Sequence, residues 1–246
     1  MARIAIVTGA SRGLGKRIAE KLQTADCITI TDRVEATDYA AIDRLVASVV
    51  DRHGRIDVLV NNAAILGPVG ELERCAWARW EYTIGVDLLG PAYWMSAVLP
   101  IMKRQQRGKI INIAGGGVGG SLPRRSAYAV AKIGLVKLTE CVADECKGTG
   151  VYVNAMLPGP MMTDMMRDIV SAGPERLGNA EFSEHSRFDD ENAIDRAADL
   201  CFYLASEASG GLSGKVISAR YDKWPFDATE IDRLMAGDQH TIRRVK

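Results

Sequence analysis

Tyr128 and Lys132 are the two side chains of this sequence best suited by type and spacing to proton transfer. They fall in a stretch predicted to be a helix beginning near Ala127, and residues four apart project from one helix face. An ammonium about 4 Å from a phenol stabilises the phenolate. We therefore predict that Lys132 lowers the pKa of Tyr128, which would act as a general acid and base near neutral pH. Taken alone, the spacing is also typical of a solvated surface pair.

A glycine-rich turn, Thr8-Gly9-Ala10-Ser11-Arg12-Gly13-Leu14-Gly15, is the second chemical signal. It separates a predicted buried strand, Ile4 to Val7, from a predicted helix with Leu14, Ile18 and Leu22 on one face. Such a turn lets the backbone approach a diphosphate, which the new helix meets with free N–H groups. A plain tight turn is the alternative. The predicted nucleotide contacts are Gly9, Ser11, Arg12, Gly13, Leu14 and Gly15.

The second predicted strand, Cys27 to Asp32, ends on a carboxylate. At this position of a dinucleotide-binding fold an Asp accepts hydrogen bonds from the adenosine ribose and repels a 2′-phosphate, so Asp32 favours NAD. Arg12 and Arg33 favour NADP, because either guanidinium could pair with that phosphate. Only Arg33 to Ala36 separate this strand from the next helix, whereas a parallel crossover needs a dozen residues or more. One strand-helix unit is therefore predicted to be missing.

Two later turns are predicted to reach the same edge of the sheet. Asn61-Asn62-Ala63-Ala64 follows the strand 56–60, and Pro158-Gly159-Pro160-Met161-Met162-Thr163 closes the strand 151–155. Open α/β sheets hold their ligands at the carboxyl ends of the strands. An ordinary Asn-rich turn and a helix cap by Thr163 are the alternatives. The predicted cofactor contacts here are Asn61, Ala63, Pro158, Gly159 and Thr163.

Alternating strands and helices predict a single α/β domain with a doubly wound, Rossmann-type parallel sheet at 1–224. A long helical region at about 77–106 contains Gly90-Pro91, where we expect a kink. The polar stretch 164–192 is predicted to be a lid over the substrate, with a plain surface excursion as the alternative. Residues 225–246 form a C-terminal tail without a chemical signal.

Composition narrows the classes of partner. The 31 basic and 31 acidic residues cancel, which argues against nucleic acid or an anionic membrane and favours a small-molecule substrate. We predict no membrane-spanning segment and no secretion signal, and hence a cytoplasmic protein. Five cysteines without a Cys-x-x-Cys motif are expected to be reduced, buried thiols. The three histidines are far apart, so no metal site is predicted.

In order and rough spacing, four motifs resemble those of the short-chain dehydrogenase/reductase family. They are Thr8-Gly9-x-x-x-Gly13-x-Gly15, Asn61-Asn62-Ala63-Ala64, Tyr128-x-x-x-Lys132 and Pro158-Gly159. The resemblance covers residues 3–218 and implies a bound NAD or NADP. It also implies that Tyr128 is the acid and base, that Lys132 binds the nicotinamide ribose, and that Thr163 contacts the cofactor. A homodimer or homotetramer, formed through helices near 77–106 and 127–146, is implied as well.

The chain departs from the family pattern at three places. Gly115 stands where the family carries its catalytic serine, a loss that typically lowers the rate about 10²–10³-fold; Ser121 and Ser126 are candidate substitutes. Asp87 replaces the Asn of the proton relay and adds negative charge near Lys132. The missing strand-helix unit removes part of the adenine pocket, where Glu35 is a candidate replacement contact.

These observations predict an NAD(P)-dependent oxidoreductase that interconverts a secondary alcohol and a ketone on a polyol, a sugar derivative or a biosynthetic intermediate. NAD is the favoured cofactor and NADP the alternative. Two other functions stay open. Because the serine and the relay Asn are missing, the chain could bind cofactor or partners with little or no redox activity. Alternatively, Tyr128 and Lys132 could serve a non-redox step such as dehydration or epimerisation.

Overall fold

The computed structural model describes residues 2–25, 27–31, 33–178 and 190–242. One sheet of six strands, all parallel, lies at its centre, with the strands in the order β2-β1-β3-β4-β5-β6. This sheet confirms the predicted Rossmann-type α/β fold. The strands are β1 Arg3–Val7, β2 Cys27–Ile30, β3 Val58–Asn61, β4 Gly108–Ile113, β5 Val151–Leu157 and β6 Val216–Ser218.

Helices cover both faces of the sheet, because successive strand residues point to opposite sides. Ala5 and Val7 pack with α1 and α8, whereas Ile4 and Ile6 pack with α2, α4 and α5. Both faces are thus buried, which explains the nearly continuous apolar strands. The α-helices of the described residues are α1 Gly13–Gln23, α2 Tyr39–His53, α3 Trp77–Ile84, α4 Gly90–Gln105, α5 Ser126–Glu145, α6 Asp164–Ser171, α7 Gly173–Leu177, α8 Ala193–Ala205 and α9 Ala228–Ala236.

The missing strand-helix unit is confirmed by the topology. Strand β2 forms the edge of the sheet beside β1, and α2 then returns the chain directly to β3 on the other side of β1. Local signals set the ends of α2, since the Asp38 side chain caps its first turn and Gly54 ends it in a left-handed conformation.

The shortened connection packs against the helical region 77–105. Ala36 is buried, and a Cβ placed on Gly90 would lie only 2.8 Å from the Ala36 carbonyl oxygen. A Cβ on Gly85 would lie 3.2 Å from the Thr37 methyl group. Glycines at these two helix positions therefore let the connection come close enough to close the edge that the missing unit leaves.

The predicted kink takes a different form. Between α3 and α4 the backbone makes a five-residue π-helical segment, Gly85–Leu89, and continues as a helix through Gly90. Pro91 follows directly as the second residue of α4, and it has no N–H to donate to the π-helical turn before it. The irregular turn therefore precedes Gly90-Pro91. It carries the side chain of Asp87 into the interior, where that residue is fully buried.

Within the described residues, the helical stretch Trp77–Gln105 is long and apolar enough to cross a membrane by length and composition. The expectation that no segment reaches this length is therefore wrong for this stretch. The same test is passed by the core helices of soluble proteins, and here Trp94, Val98 and Met102 are buried against the sheet. The stretch is weak evidence for a membrane span.

The predicted lid and tail are partly helical. Residues 164–178 form α6 and α7, whose buried Met166, Ile169 and Leu177 pack against Leu66 and Val69. Residues 179–189 of the predicted lid lie outside the described residues. In the tail, α9 buries Ile231 and Leu234 in the core cluster that contains α1 and α8.

The cysteines are all free thiols, but burial differs among them. Cys27, Cys146 and Cys201 are buried, whereas Cys141 is exposed. The expectation of buried thiols is therefore wrong for Cys141, and Cys75 is only partly buried.

We expect Gly90→Ala to lower the free energy of unfolding by about 1–3 kcal/mol, because the new methyl group would overlap the Ala36 carbonyl. Helix propensity alone predicts the opposite sign, since Ala is favoured over Gly within helices. Urea denaturation measures the difference. Gly119→Ala is the control, since a Cβ there meets no atom within 4 Å. A Gly90→Ala variant as stable as the wild type would show that the connection does not pack as described.

Candidate active site

The carboxyl ends of the central strands open into a cleft of about 590 Å³. It begins at the glycine-rich turn after β1, passes the turn after β3, and reaches Tyr128 and Lys132 at the start of α5. The predicted site residues that line it are Gly9, Ser11, Arg12, Gly13, Leu14, Gly15, Ala63, Tyr128, Lys132, Pro158 and Thr163. Residues from four separate segments of the sequence therefore meet at one edge of the sheet, as predicted.

The remaining predicted site residues lie elsewhere. Arg33 lines a neighbouring cavity of about 350 Å³, on the side of β2. Asn61, Asp87, Gly115 and Gly159 are not among the residues that line the main cleft. Asp32 lies outside the described residues.

The glycine-rich turn is held against the turn after β3 by short backbone contacts. Gly9 and Gly13 have left-handed backbones, with φ of 64° and 54°. A Cβ on Gly9 would lie 2.8 Å from Ala63 Cα, and one on Gly15 would lie 2.3 Å from Asn62 Nδ2. Asn62 Nδ2 donates to the carbonyl oxygens of Thr8 at 2.9 Å and Gly9 at 3.2 Å. Side chains at these glycines would therefore separate the two turns.

The two asparagines after β3 do different work. Asn61 is buried, and its Nδ2 donates to Asn112 Oδ1 at 2.8 Å within the sheet. Asn112 in turn donates to Thr139 Oγ1 of α5 at 2.9 Å. Asn62 is the one that lines the cleft. Because neighbouring residues of an extended chain point in opposite directions, the sequence pair alone did not distinguish these roles.

Lys132 and Asp87 form a buried ion pair beneath Tyr128. Lys132 Nζ lies 3.7 Å from Asp87 Oδ2 and donates to the Ile113 carbonyl oxygen at 3.0 Å. Asp87 Oδ1 accepts a hydrogen bond from the Ile65 N–H at 2.9 Å. Both side chains are at most 2% exposed, whereas Tyr128 is partly buried and faces the cleft. The lysine head group is thus held from two sides.

The predicted lowering of the Tyr128 pKa is wrong for this arrangement. Lys132 Nζ lies 5.6 Å from the centre of the tyrosine ring, and Asp87 offsets its charge. Burial, and then the negative charge of Asp87, raise the pKa of Tyr128 above its ordinary value, although Arg125 opposes them. The phenol is therefore protonated at neutral pH and suited to donate a proton.

Burial also acts on the ion pair itself. It lowers the pKa of Lys132 and raises that of Asp87, and in each case the charge of the partner opposes the shift. Both shifts favour the neutral forms, because each charged group is removed from water. Replacing the family's Asn with Asp thus places a compensating carboxylate under the lysine.

Thr163 and Arg12, two predicted cofactor contacts, both interact with the start of α6. Thr163 caps α6, accepting a hydrogen bond from the Met166 N–H at 3.4 Å, and its side chain also lines the cleft beside Gly13. Arg12 forms an ion pair with Asp164 at 2.8 Å. That contact directs the guanidinium towards the start of the predicted lid.

Neither candidate substitute for the missing serine reaches the cleft. Ser126 Oγ accepts a hydrogen bond from Trp80 Nε1 at 3.0 Å, and Ser121 is exposed on the loop before α5. Neither residue lines the cleft. At position 115 itself, an ideal Cβ would lie 2.2 Å from Tyr128 Oη, so there is no room for a side chain unless the tyrosine moves.

Several cleft residues were missed by sequence reasoning. Tyr82 of α3 donates a hydrogen bond to Glu35 of the shortened connection, and both line the cleft at the end opposite Tyr128. Glu35, which follows β2, is a replacement contact predicted from the sequence, whereas no sequence pattern points to Tyr82. Other lining residues outside the quoted motifs are charged or apolar: Asp164, Arg167, Val34, Ala36, Ile65, Val86, Ile113, Ala114 and Met165.

Among the residues that the structure describes, no group of three or more His, Cys, Asp or Glu side chains could hold a metal ion. Where α5 begins, the titratable groups that line the cleft are the phenol of Tyr128 and the ammonium of Lys132, which is paired with the buried carboxylate of Asp87. Proton transfer is the chemistry that this set of groups can perform.

Comparison with known proteins places the chain among dehydrogenases and reductases. Residues 2–219 match a protein family described as enoyl-(acyl carrier protein) reductase. Levodione reductase of Leifsonia aquatica is 31% identical over 216 residues, which are 85% of this chain and 80% of that protein. The 3-oxoacyl-[acyl-carrier-protein] reductase of Synechocystis is 35% identical over 194 residues, 68% of this chain and 78% of that protein.

Solved structures share the fold over nearly their whole length. The crystal structure of levodione reductase superimposes with a TM-score of 0.76 at 25% identity, covering 88% of this chain and 95% of that one. An aldohexose dehydrogenase from Thermoplasma acidophilum, 22% identical, has a TM-score of 0.78 over 92% of this chain and 97% of that one.

We expect Asp87→Asn to lower the pKa of Tyr128, because it removes the negative charge that opposes the phenolate. The amide oxygen can still accept the hydrogen bond from the Ile65 N–H. The change is measured by ultraviolet titration of the phenol, as the difference between otherwise identical proteins with and without Tyr128→Phe. Asp43→Asn, which alters a carboxylate bonded to Tyr93 outside the cleft, is the control and should leave the value unchanged. An unchanged or higher pKa in Asp87→Asn would contradict the described electrostatics.

Proposed function

The chain belongs to the short-chain dehydrogenase/reductase family, and on that premise we propose that Tyr128 is the acid and base of an NAD(P)-dependent alcohol dehydrogenase or ketone reductase. The family match covers residues 2–219. The oxidoreductase class agrees with the names of the relatives, which include levodione reductase and a D-beta-hydroxybutyrate dehydrogenase. The single observation that carries the proposal for Tyr128 is that it shares one cleft with the glycine-rich turn and Lys132.

The residues of the cleft fit a dinucleotide. Gly9 and Gly15 form a narrow cradle at the start of α1, because their neighbours lie too close for a Cβ. The residue before α1, Arg12, makes no side-chain hydrogen bond that caps the helix. The N–H groups of this first turn favour a diphosphate there. We assign the cradle to the diphosphate, together with Ser11, Leu14, Ala63, Pro158 and Thr163, which line the same cleft. When bound, the nicotinamide supplies or accepts the hydride.

The chain's own residues then handle the proton. In the direction of reduction, Tyr128 Oη gives its proton to the carbonyl oxygen, and in oxidation it takes the proton of the alcohol. A raised pKa suits the first direction, because the phenol is fully protonated at neutral pH. Lys132 is held by Ile113 and Asp87 where it can bond the nicotinamide ribose, as the family resemblance implies.

The favoured cofactor is NAD. Arg12 is occupied by Asp164, which leaves Arg33 as the main candidate partner for a 2′-phosphate. The carboxylates of Asp32 and Glu35 oppose that phosphate by repulsion and favour ribose hydroxyls. Members of the family use NAD or NADP. Two carboxylates against one guanidinium near the end of β2 favour NAD.

The substrate is proposed to be a small molecule with a secondary alcohol or ketone, such as a polyol, a sugar derivative or a biosynthetic intermediate. Apolar side chains that line the same cleft as Tyr128, among them Ile65 and Met161, favour a partly apolar molecule. The segment 164–192 is assigned as the lid of domain 1–224, with 225–246 as its tail. We place the protein in the cytoplasm.

A homodimer or homotetramer is proposed through the two long helical regions. Leu89 and Val130 expose 49% and 47% of their surface there. Large apolar side chains left in water on neighbouring helices are typical of a contact surface.

Cofactor binding without redox turnover is the second candidate. The observation that favours it is Gly115, because the donor expected there for the developing oxyanion is missing. This function predicts binding of the dinucleotide without its consumption by any ketone or alcohol.

Tyr128→Phe is expected to abolish turnover, by at least about 10³-fold, while the Kd for NADH changes less than about twofold. Turnover is followed by NADH absorbance with a panel of ketones, and binding by fluorescence titration. The matched control is Tyr221→Phe, since Tyr221 is 75% exposed and lies outside the cleft. Retained turnover in Tyr128→Phe would remove the tyrosine from the reaction. Binding without turnover in the wild type would support the second candidate.

Fluorescence titration with NADH and NADPH should show tighter binding of NADH by at least about tenfold, because carboxylates repel the 2′-phosphate. Asp32→Ala should bring the Kd values for NADH and NADPH closer together, because it improves NADPH binding. Asp51→Ala, which removes an exposed carboxylate on α2, is the matched control. A preference for NADPH in the wild type would instead assign Arg33 to the phosphate.

A further inference from the structure

The loop after β4 lies unusually close to the first turn of α5. An ideal Cβ on Gly115 would lie 2.2 Å from Tyr128 Oη and 3.1 Å from Tyr128 Cζ. Two residues later, Gly117 has a φ of 89°, and a Cβ there would lie 2.7 Å from Ala129 Cβ. The loop thus contacts adjacent residues of the helix at two glycines, so the close approach involves its backbone and is not confined to one side chain.

Neither side of this contact is free to move away. The loop leaves the sheet at Ala114, which is buried and whose N–H donates to the Met156 carbonyl oxygen at 2.9 Å. The first turns of α5 are fixed by buried Ala127 and Ala131 and by Lys132, whose Nζ bonds the Ile113 carbonyl oxygen. A side chain at position 115 would therefore displace the tyrosine ring, because the backbone on either side is anchored in the core.

We propose that Gly115 is a positioning residue for the reaction, because its missing Cβ leaves the volume in which the Tyr128 hydroxyl lies. This inference rests on the proposed function of Tyr128. The position at which the family resemblance expects a serine is not an empty place for a hydroxyl in this chain. A serine introduced there displaces the acid and base instead of adding a second hydrogen-bond donor.

Displacement of the ring also changes its electrostatic surroundings. The charged groups around Tyr128 are Asp87 from the π-helical segment and Arg125 and Lys132 from the start of α5. Asp87 disfavours the phenolate and Arg125 favours it, while burial is the largest cause that keeps the phenol protonated. A ring moved towards the open cleft regains water, so its pKa falls.

The test compares two neighbouring glycines of the same loop. Gly115→Ala and Gly115→Ser are expected to lower kcat about 10²-fold, since a displacement of about 1 Å at a reacting group can have that effect. The matched controls are Gly116→Ala and Gly116→Ser, because a Cβ on Gly116 would meet Leu122 Cδ2 at an ordinary 3.5 Å. For the two Gly116 controls we expect kcat to change less than about twofold. For all four variants we expect the Kd for NADH to change less than about twofold.

A second measurement does not depend on turnover. The Tyr128 phenol is titrated by ultraviolet absorbance, as the difference between otherwise identical proteins with and without Tyr128→Phe. Its pKa should be lower in Gly115→Ala than in the wild type and unchanged in Gly116→Ala. A variant that only loosened the loop would leave the phenol pKa where it is. The melting temperature of each variant separates displacement of the ring from loss of the fold.

Two results would overturn the inference. One is a higher kcat in Gly115→Ser than in the wild type, which would mean that the serine acts as an added donor. The other is a Gly115→Ala variant with the kcat and phenol pKa of the wild type. A wild type that binds NADH but turns over no ketone would count against the proposed function instead, and the phenol titration would then decide the geometry by itself.

Discussion

The carboxyl edge of the sheet depends on glycines whose neighbours lie too close for a Cβ. At Gly9 and Gly15 this constraint joins the turns after β1 and β3, and at Gly115 it joins the loop after β4 to Tyr128. Gly90 meets the shortened connection after β2 in the same way. At each of these glycines, a neighbouring group occupies the space that a Cβ would take. The cleft takes its shape from these surfaces.

Within that frame, the one buried ion pair of the site connects the helices to the reacting group. Asp87 comes from the π-helical segment and Lys132 from α5, and both are removed from water. Isolated buried charges are costly, and here each has a charged partner and a backbone hydrogen bond, from the Ile65 N–H and to the Ile113 carbonyl oxygen. The lysine head group is thereby held near the ring of Tyr128. Asp87 also limits how far the lysine can favour the phenolate.

The loss of a strand-helix unit changes one end of the cleft and leaves the other end in place. Strand β2 becomes an edge strand, and Glu35 and Tyr82 meet where the returning connection passes the helical region 77–105. Tyr128 and Lys132 lie at the opposite end, on α5, which packs beside β4 and β5. A deletion at one edge of a parallel sheet is tolerated, because each crossover connects only its own strands.

Local patterns were sufficient for the features that depend on neighbouring residues. The caps of α2, the periodicity of α1, the glycine-rich turn and the Tyr128–Lys132 spacing each arise within a few residues, so the Rossmann-type sheet and its missing unit followed from the amino-acid order. The position of the helical irregularity before Gly90 and the different orientations of Asn61 and Asn62 depended on packing partners far away in the chain. The direction of the Tyr128 pKa shift and the lack of space beside Gly115 are of the same kind. Only the folded chain brings residues 87, 115 and 128 together, and electrostatic and steric effects act through distances in space that the sequence does not contain.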